Sequence, residues 1–278
     1  MEKFTLEILF HIIGIGAASG LIYKDNSLYI ISDNSNFLYE YQVDSHDLKR
    51  HALSSNPAEN ILKKDKPDFE AITLFQDTLY IFGSGSTANR NKMIEFDLAQ
   101  KKKIVTNDLG NLYEVMQNFA SIKPEDFNIE GIMHDGENWY FLNRGNGIAN
   151  KNTLLSVHAK KLDQEFSLLA NDYKLPKIKG VRTSFTDAVL VDNAIYFLAT
   201  AENSQSTYED GEVLGSIIGR INLETMKIDF TKKISPTNKF EGLTLYAKAE
   251  HQIQFLLCED KDSDVLESAI YKLTVDLK

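Results

Sequence analysis

Short apolar runs separated by polar turns cover the chain, and most of them alternate in the way that predicts β-strands with one buried face. Five stretches share one pattern: a small or acidic residue, an apolar run, a turn, and a second apolar run that ends in a polar segment. They start at Ser19, Glu70, Glu130, Asp187 and Glu241. Repeats of 51 to 60 residues built from short strands are typical of β-propeller blades.

The end of the second apolar run gives a further check on this alignment. It lies thirteen residues after the start in the first four copies, at Ser32, Gly83, Asn143 and Thr200. The fifth copy has a longer turn and reaches Cys258 after seventeen residues. The agreement supports one repeated unit.

Each of the first four copies continues with two more strand-like runs, whereas the fifth has only one before the chain ends. The N-terminal run at 4–12 can supply the missing outer strand and so remove an open sheet edge. We therefore predict an all-β fold, a five-bladed β-propeller of four-stranded blades, as a single domain over residues 1–278. Residues 111–122 carry the one helical pattern.

The long loops predict where a site would lie. The links between second and third strands and the links between blades are long, and strands alternate in direction, so both sets emerge at one end of the ring. Loops on a rigid scaffold commonly carry binding sites. The repeat starts lie at the same end, and four of them are carboxylates: Glu70, Glu130, Asp187 and Glu241. The polar loops add Asp33, Arg90, Asn143, Arg144, Glu202, Glu259 and Asp260.

Carboxylates crowded into one channel mouth repel each other, and arginines, bound protons or a hard cation can relieve the repulsion. Ca²⁺ accepts six to eight oxygen ligands in irregular geometry. The four carboxylates are thus candidate metal ligands and catalytic groups, or alternatively clips that accept backbone N–H groups from the next blade. Arg90 and Arg144 either bind an anionic ligand or compensate the acids.

Composition narrows the classes of partner. The net charge of −10 argues against a nucleic-acid partner, and no apolar stretch is long enough to span a membrane. The single cysteine, Cys258, excludes an internal disulfide and predicts a buried thiol. We expect a monomer in the cytoplasm, with secretion after removal of a leader as the open alternative. The six histidines show no zinc spacing and none lies in the long loops.

Several motifs also carry a resemblance to a known family. They include "KPDFEAI" (66–72), "NIEG" (128–131), "RGNG" (144–147), "SFTDA" (184–188) and "KFEGL" (239–243). The chain resembles uncharacterised bacterial β-propellers akin to phytase-like (esterase-like) and calcium-binding lactonase propellers. That resemblance implies a calcium ion in the channel, although Ser19 stands where a symmetric ring would place an acid.

Three functions remain open at this point, and whether the protein is an enzyme is among the open questions. The first is a Ca²⁺-dependent hydrolase of ester or phosphoester bonds acting on a small anionic molecule. The second is a glycoside hydrolase that uses channel carboxylates as acid and base. The third is a non-catalytic module that binds a small ligand or a protein.

Overall fold

Five antiparallel sheets follow one another around a ring in the computed structural model, which describes residues 3–204, 211–261 and 265–277. Each sheet is one blade, and the predicted five-bladed β-propeller is confirmed. Strand β1 is Phe4–Ile13. Blade one contains, from the inside outward, β2 (Ala18–Lys24), β3 (Ser27–Ser32), β4 (Phe37–Gln42) and β5 (Leu48–Ala52). Blade two contains, in the same order, β6 (Phe69–Phe75), β7 (Thr78–Gly83), β8 (Lys92–Asp97) and β9 (Lys102–Asp108).

The other three blades repeat the arrangement. Blade three consists of β10 (Ile129–His134), β11 (Asn138–Asn143), β12 (Asn152–His158) and β13 (Ser167–Tyr173). The two-residue β14 (Lys177–Ile178) precedes blade four, which consists of β15 (Val181–Val191), β16 (Ala194–Asn203), β17 (Glu212–Asn222) and β18 (Lys227–Ser235). Blade five contains β19 (Phe240–Ala249), β20 (Gln252–Glu259) and β21 (Glu267–Asp276).

The N-terminal strand closes the ring. β1 pairs antiparallel with β21, from Phe4 opposite Val275 to Ile13 opposite Glu267, and becomes the outer strand of blade five. The predicted closure is therefore confirmed. It joins the two ends of the chain through backbone hydrogen bonds, which holds the first and last blades together.

Apolar side chains fill the space between neighbouring blades. Each of the five core clusters draws its buried residues mainly from two adjacent sheets, as in the cluster that joins blades two and three through Phe82 and Phe141. Trp139 and Tyr196 lie in this core with 2% exposure each, and Cys258 is fully buried, as predicted. Burial of the faces between blades fixes the order of the strands around the channel.

The one predicted helix is also present. Helix α1 (Gly110–Ala120) follows β9, and its buried face, which includes Tyr113 and Met116, packs into the cluster between blades two and three. Two short 3₁₀ helices occur at Ala88–Arg90 and Pro124–Asp126. None of the helices among the described residues is long and apolar enough to cross a membrane.

A β-bulge occurs at the start of every innermost strand. The residue in the bulge has no partner in the ladder, and in four blades it is the predicted repeat start: Ser19, Glu70, Glu130 and Glu241. In blade four the bulge falls on Thr186, because Phe185 pairs with Ala199 and Asp187 with Leu198. The alignment that equated Asp187 with the other starts was thus one residue out of register. Bulges redirect side chains, and here they set which groups face the mouth.

Candidate functional site

The bulge residues divide into two kinds. Ser19 and Thr186 carry hydroxyls, and each donates to a backbone carbonyl of the next blade, at 2.5 Å to Phe69 and 2.7 Å to Phe240. Both carbonyls belong to the residue just before a bulge glutamate. The hydroxyls therefore tie blade one to blade two and blade four to blade five, and they position the neighbouring acids.

Asp187 lies one position beyond the bulge and acts as a different clip. Its Oδ2 accepts from the backbone N–H of Leu243 in blade five at 2.6 Å, and its Oδ1 accepts from the N–H of Ala188 at 2.7 Å. The side chain is 3% exposed, and burial raises the pKa of this carboxyl well above its usual value. Of the two roles weighed for this residue, the geometry favours the backbone clip over metal binding or catalysis.

The remaining bulge residues, Glu70, Glu130 and Glu241, bring three carboxylates to the channel mouth. Burial raises the pKa of all three, and charge repulsion from Glu130 adds to the effect at Glu70 and Glu241. Glu130 and Glu241 lie 3.0 Å and 3.9 Å from Nη1 of the same arginine, Arg144. Of the predicted acids, these two therefore meet at one guanidinium.

An acidic cluster lies between blades one and two. Oxygen atoms of Asp33, Asp68 and Glu70 all lie within 4.8 Å of one another. The ammonium of Lys66 contacts Asp33 and lies 2.8 Å from Oδ1 of Asp68. Burial raises the pKa of Asp33, and its Oδ1 is buried without a hydrogen-bond partner. We call these three carboxylates the acidic triad.

Asp68 is the most firmly held member of the acidic triad. Its Oδ2 accepts from the Ser84 hydroxyl at 2.5 Å and from Nη1 of Arg90 at 2.8 Å. Its backbone adopts a left-handed conformation with φ of 55°, which aspartate tolerates better than most residues. Arg90 is buried and also donates to the carbonyl of Lys63 at 2.9 Å, so its guanidinium is engaged by the protein.

Glu70 is the least satisfied member. It forms no hydrogen bond or ion pair with any residue in the described parts of the chain, although Lys66 is close enough to lower its pKa. By accessible surface it is half-buried, while protein atoms surround its carboxyl densely enough for burial to raise the pKa well above the usual value. Part of the Glu70 residue therefore remains accessible to solvent.

Arg144 is the centre of a second cluster. Its Nη1 lies 3.0 Å from Glu130 and its Nη2 lies 2.5 Å from Glu202, while Glu241 is 3.9 Å from Nη1. Glu130 also accepts from the amide of Asn128 at 2.6 Å. Arg144 is 6% exposed, so of its two predicted roles the geometry favours compensation of the acids over capture of an anion.

Lys239 neutralises the acids of blade five. Its ammonium lies 3.0 Å from Glu241 and 3.3 Å from Asp260, and all three side chains are buried. These charges raise the pKa of Lys239 well above its usual value, against the effect of burial. The ammonium is thus fixed in its charged form between two carboxylates.

Another predicted ligand-binding residue has a structural role. Asn143 is fully buried, accepts from the backbone N–H of Asn128 at 2.9 Å and donates to the carbonyl of Lys151 at 3.0 Å. It therefore fixes the loops around Glu130. Two further polar segments, "YEDG" (208–211) and "DKDSD" (260–264), have the composition of turns or solvated loops, with ligand contact as the alternative; residues 208–210 and 262–264 lie outside the described parts of the chain.

Negative charge predominates at the mouth. The described residues that face it or pair with it include the carboxylates Asp33, Asp68, Glu70, Glu130, Glu202, Glu241 and Asp260. The cations are Lys66, Arg90, Arg144 and Lys239. Seven acids against four bases leave three formal negative charges, which protons or a cation can neutralise.

Sequence reasoning missed Lys66, Asp68 and Lys239. All three precede a bulge glutamate by two or four residues, in "KPDFE" (66–70) and "KFE" (239–241), so the signal was present. The alignment of the repeats compared only the bulge positions and not the residues that precede them. The β-bulge brings Lys66 and Asp68 into the acidic triad region of Glu70, and it brings Lys239 beside Glu241.

Comparisons with known proteins agree with the fold. A member of the DUF4221 family from Bacteroides vulgatus matches at 9% identity over 99% of both chains with a TM-score of 0.48. The major allergen Mala s 1 of Malassezia sympodialis matches at 10% identity over 95% of both chains with a TM-score of 0.56, which supports the fold alone. A search of the curated proteins returns no match.

A family profile covers nearly the whole chain. It is described as "Family of unknown function (DUF6929)" and matches residues 14–275, from the turn after β1 to the end of β21. The match includes all three bulge glutamates and the acidic triad. The chain therefore belongs to the DUF6929 family, a family of unknown function.

Proposed function

We propose that the channel mouth binds one hard divalent cation, Ca²⁺, at the acidic triad, and that the loaded site hydrolyses an ester or phosphoester bond. The observation that carries the proposal is the position of Glu70: its carboxylate, which has no direct hydrogen bond or ion pair among the described residues, lies within 4.8 Å of oxygen atoms of Asp33 and Asp68. An all-oxygen donor set suits Ca²⁺, which does not demand regular geometry.

Two features of the residues fit a cation. The buried Oδ1 of Asp33 has no hydrogen-bond partner, and a bound cation would satisfy it. The mouth also carries three formal negative charges in excess of its cations. The resemblance of the sequence motifs to calcium-binding lactonase and phytase-like propellers supports the same assignment.

When bound, the cation would polarise the ester carbonyl or phosphoryl oxygen and acidify a water molecule. The chain's own groups would divide the remaining work. Asp68, fixed by Ser84 and Arg90, would hold its ligand oxygen still. Glu70, which burial already makes a stronger base than an exposed glutamate, would accept the proton of the attacking water at its carboxylate. Lys66 would neutralise Asp33 and limit the charge of the site.

Calorimetric titration with CaCl₂ tests the binding step. We expect one site in the wild type, at least about tenfold weaker binding in Glu70→Gln, and the same loss in Asp33→Asn. Glu137→Gln is the matched control, because Glu137 is an exposed glutamate in the turn at the other end of the innermost strand. Absence of Ca²⁺ binding in the wild type, or unchanged binding in Glu70→Gln, would overturn the proposal.

Hydrolysis requires a separate measurement. We expect the wild type with Ca²⁺ to cleave p-nitrophenyl acetate or p-nitrophenyl phosphate, and Glu70→Gln or chelation to abolish the activity. Stoichiometric Ca²⁺ binding without turnover of either ester class would contradict the hydrolase assignment. It would instead favour the third hypothesis, a binding module.

A further inference from the structure

A second charged site lies on blade four, away from the acidic residues. A cavity of about 390 Å³ opens between the β14–β15 hairpin and the outer strand β18. Its lining includes three lysines and no carboxylate: Pro176, Lys177, Ile178, Lys179, Ile217, Thr231 and Lys233. In a chain with a net charge of −10, three lysines and no acid in the lining of one cavity are an unusual concentration of positive charge.

The three lysines are exposed, and among the described residues none of them forms an ion pair or a hydrogen bond through its ammonium. Other lysines at the surface are paired, as Lys24 is with Asp77 at 2.6 Å and Lys272 with Glu7 at 2.6 Å. The described residues around the cavity therefore leave its positive charge available to an external anion.

The hairpin that carries two of these lysines is rigidly built. Thr183 donates to the carbonyl of Pro176 twice, through its backbone N–H at 2.9 Å and its hydroxyl at 3.0 Å. Ile178 is buried against the blade. Rigid backbone support means that Lys177 and Lys179 lose little backbone freedom when a ligand binds.

The turn of the hairpin holds Lys179 in an unfavourable conformation. Lys179 and Gly180 both have positive φ, 49° and 88°, as in a turn that prefers asparagine or glycine at the first position. Nothing lies within 4 Å of where a Cβ on Gly180 would be, so the turn is open to solvent. The turn therefore presents Lys179 to solvent at one side of the cavity.

The third lysine comes from a different element. On β18, Lys233 lies on the same face as Thr231 and opposite Ile217 of β17, whereas Lys232 alternates to the other face and lies 6.0 Å from the ring of Phe4. Two adjacent lysines of one strand thus differ in whether they line the cavity. This difference provides a matched control.

We propose that this cavity binds a small, multiply charged phosphate compound, with Lys177, Lys179 and Lys233 as its ligands and the Thr231 hydroxyl as an additional donor. Lysine ammonium groups bind phosphate oxygens as point charges and tolerate varied geometry. The volume lies in the range of small-molecule sites. The proposal is independent of the channel mouth and of Ca²⁺.

The test is titration calorimetry of the whole protein with sodium tripolyphosphate in metal-free buffer at low salt. We expect saturable binding at one site that weakens as salt is added. Lys233→Gln and Lys177→Gln should each weaken binding about fivefold, while Lys232→Gln should change it less than about twofold. Lys179→Gly should also weaken binding while it keeps the fold, because glycine suits the positive φ.

Three results would overturn the proposal. One is absence of saturable binding of phosphate, pyrophosphate and tripolyphosphate alike. Another is equal weakening by Lys232→Gln and Lys233→Gln, which would show an effect of net charge only. The third is lysine-dependent binding to phosphatidylserine vesicles without binding of free tripolyphosphate, which would assign the surface to a membrane instead. Glu70→Gln should leave tripolyphosphate binding unchanged, so failure of the Ca²⁺ proposal would not affect this result.

Discussion

Glu70→Gln should stabilise the protein in the absence of divalent cations. In the wild type, burial disfavours the charge of Glu70, which stands beside Asp33 and Asp68 without a direct ion pair among the described residues. Glutamine keeps the shape and removes the charge. Glu130→Gln, at the same bulge position in blade three, should do the opposite, because Glu130 is bonded to Arg144 at 3.0 Å.

The size of the effect follows from chain length. At about 2.1 cal/mol/K per residue, 278 residues give an unfolding entropy near 0.6 kcal/mol/K, so about 1 kcal/mol shifts Tm by about 1.7 °C. A half-buried unpaired carboxylate costs about 1–2 kcal/mol after solvent screening, which predicts a Tm higher by about 2–3 °C. Loss of the buried partner of Arg144 costs about 2–3 kcal/mol, which predicts a Tm lower by about 3–5 °C in Glu130→Gln.

The pH dependence provides a second check. Folding raises the pKa of Glu70, so between its usual and raised pKa the native state binds more protons than the unfolded state. The contribution of Glu70 to stability therefore falls as pH rises through that window. The advantage of Glu70→Gln over the wild type should therefore be larger at pH 8 than at pH 5, because protonation of Glu70 in the native state removes the unfavourable charge.

Scanning calorimetry in chelator at both pH values measures these differences, and added CaCl₂ should raise the Tm of the wild type but not that of Glu70→Gln. A lower Tm for Glu70→Gln than for the wild type near pH 8 would refute the reasoning. It would mean that the glutamate stabilises the mouth through a partner, in which case the acidic triad is a structural network.

Three further substitutions probe separate features. Asp187→Ala removes the acceptor for the N–H of Leu243 and should destabilise by about 2–4 kcal/mol in urea denaturation; a loss below about 0.5 kcal/mol would contradict the clip. Lys66→Met removes the ammonium that competes with a cation and should raise Ca²⁺ affinity at least about fivefold by calorimetry, and weaker binding would show that Lys66 supports the site. Gly242→Ala would place a Cβ 2.5 Å from Sγ of Cys258 and should lower stability by about 1–3 kcal/mol in the same urea assay, whereas unchanged stability would mean that the blades yield.

The fold was predictable because the same strand pattern occurs five times, so the repeats together indicate an arrangement that a single copy would leave open. One copy with the pattern of blade three could be a hairpin in many folds, but five copies and a spare N-terminal strand leave few arrangements other than a closed propeller. The error of one residue in blade four has a specific cause. "FTDA" at 185–188 offers two polar residues in succession, and alignment on acids chose Asp187, while the ladder places Thr186 in the bulge.

The sequence predicted where in the fold the site lies, but it did not predict which acid pairs with which base. Strand direction and loop length placed Glu70, Glu130 and Glu241 at one end of the channel. Which cation pairs with which acid depends on side-chain reach across blades, as when Arg144 of blade three meets Glu202 of blade four at 2.5 Å. Sequence spacing cannot predict that distance, because it depends on how the two sheets are oriented relative to each other.

The bulge position itself shows why Glu70 is the informative residue. Ser19 and Thr186 demonstrate that a short hydroxyl at this position can fasten one blade to the next with a single hydrogen bond. A glutamate there brings a charge that must be compensated, and Glu130 and Glu241 each have a cation at 3.0 Å. For Glu70 the compensation is weaker: the ammonium of Lys66 acts on it through its charge but contacts Asp33 and Asp68 directly. Glu70 is thus the bulge glutamate that has no direct hydrogen bond or ion pair among the described residues, and this difference is why the Ca²⁺ proposal is tested at Glu70.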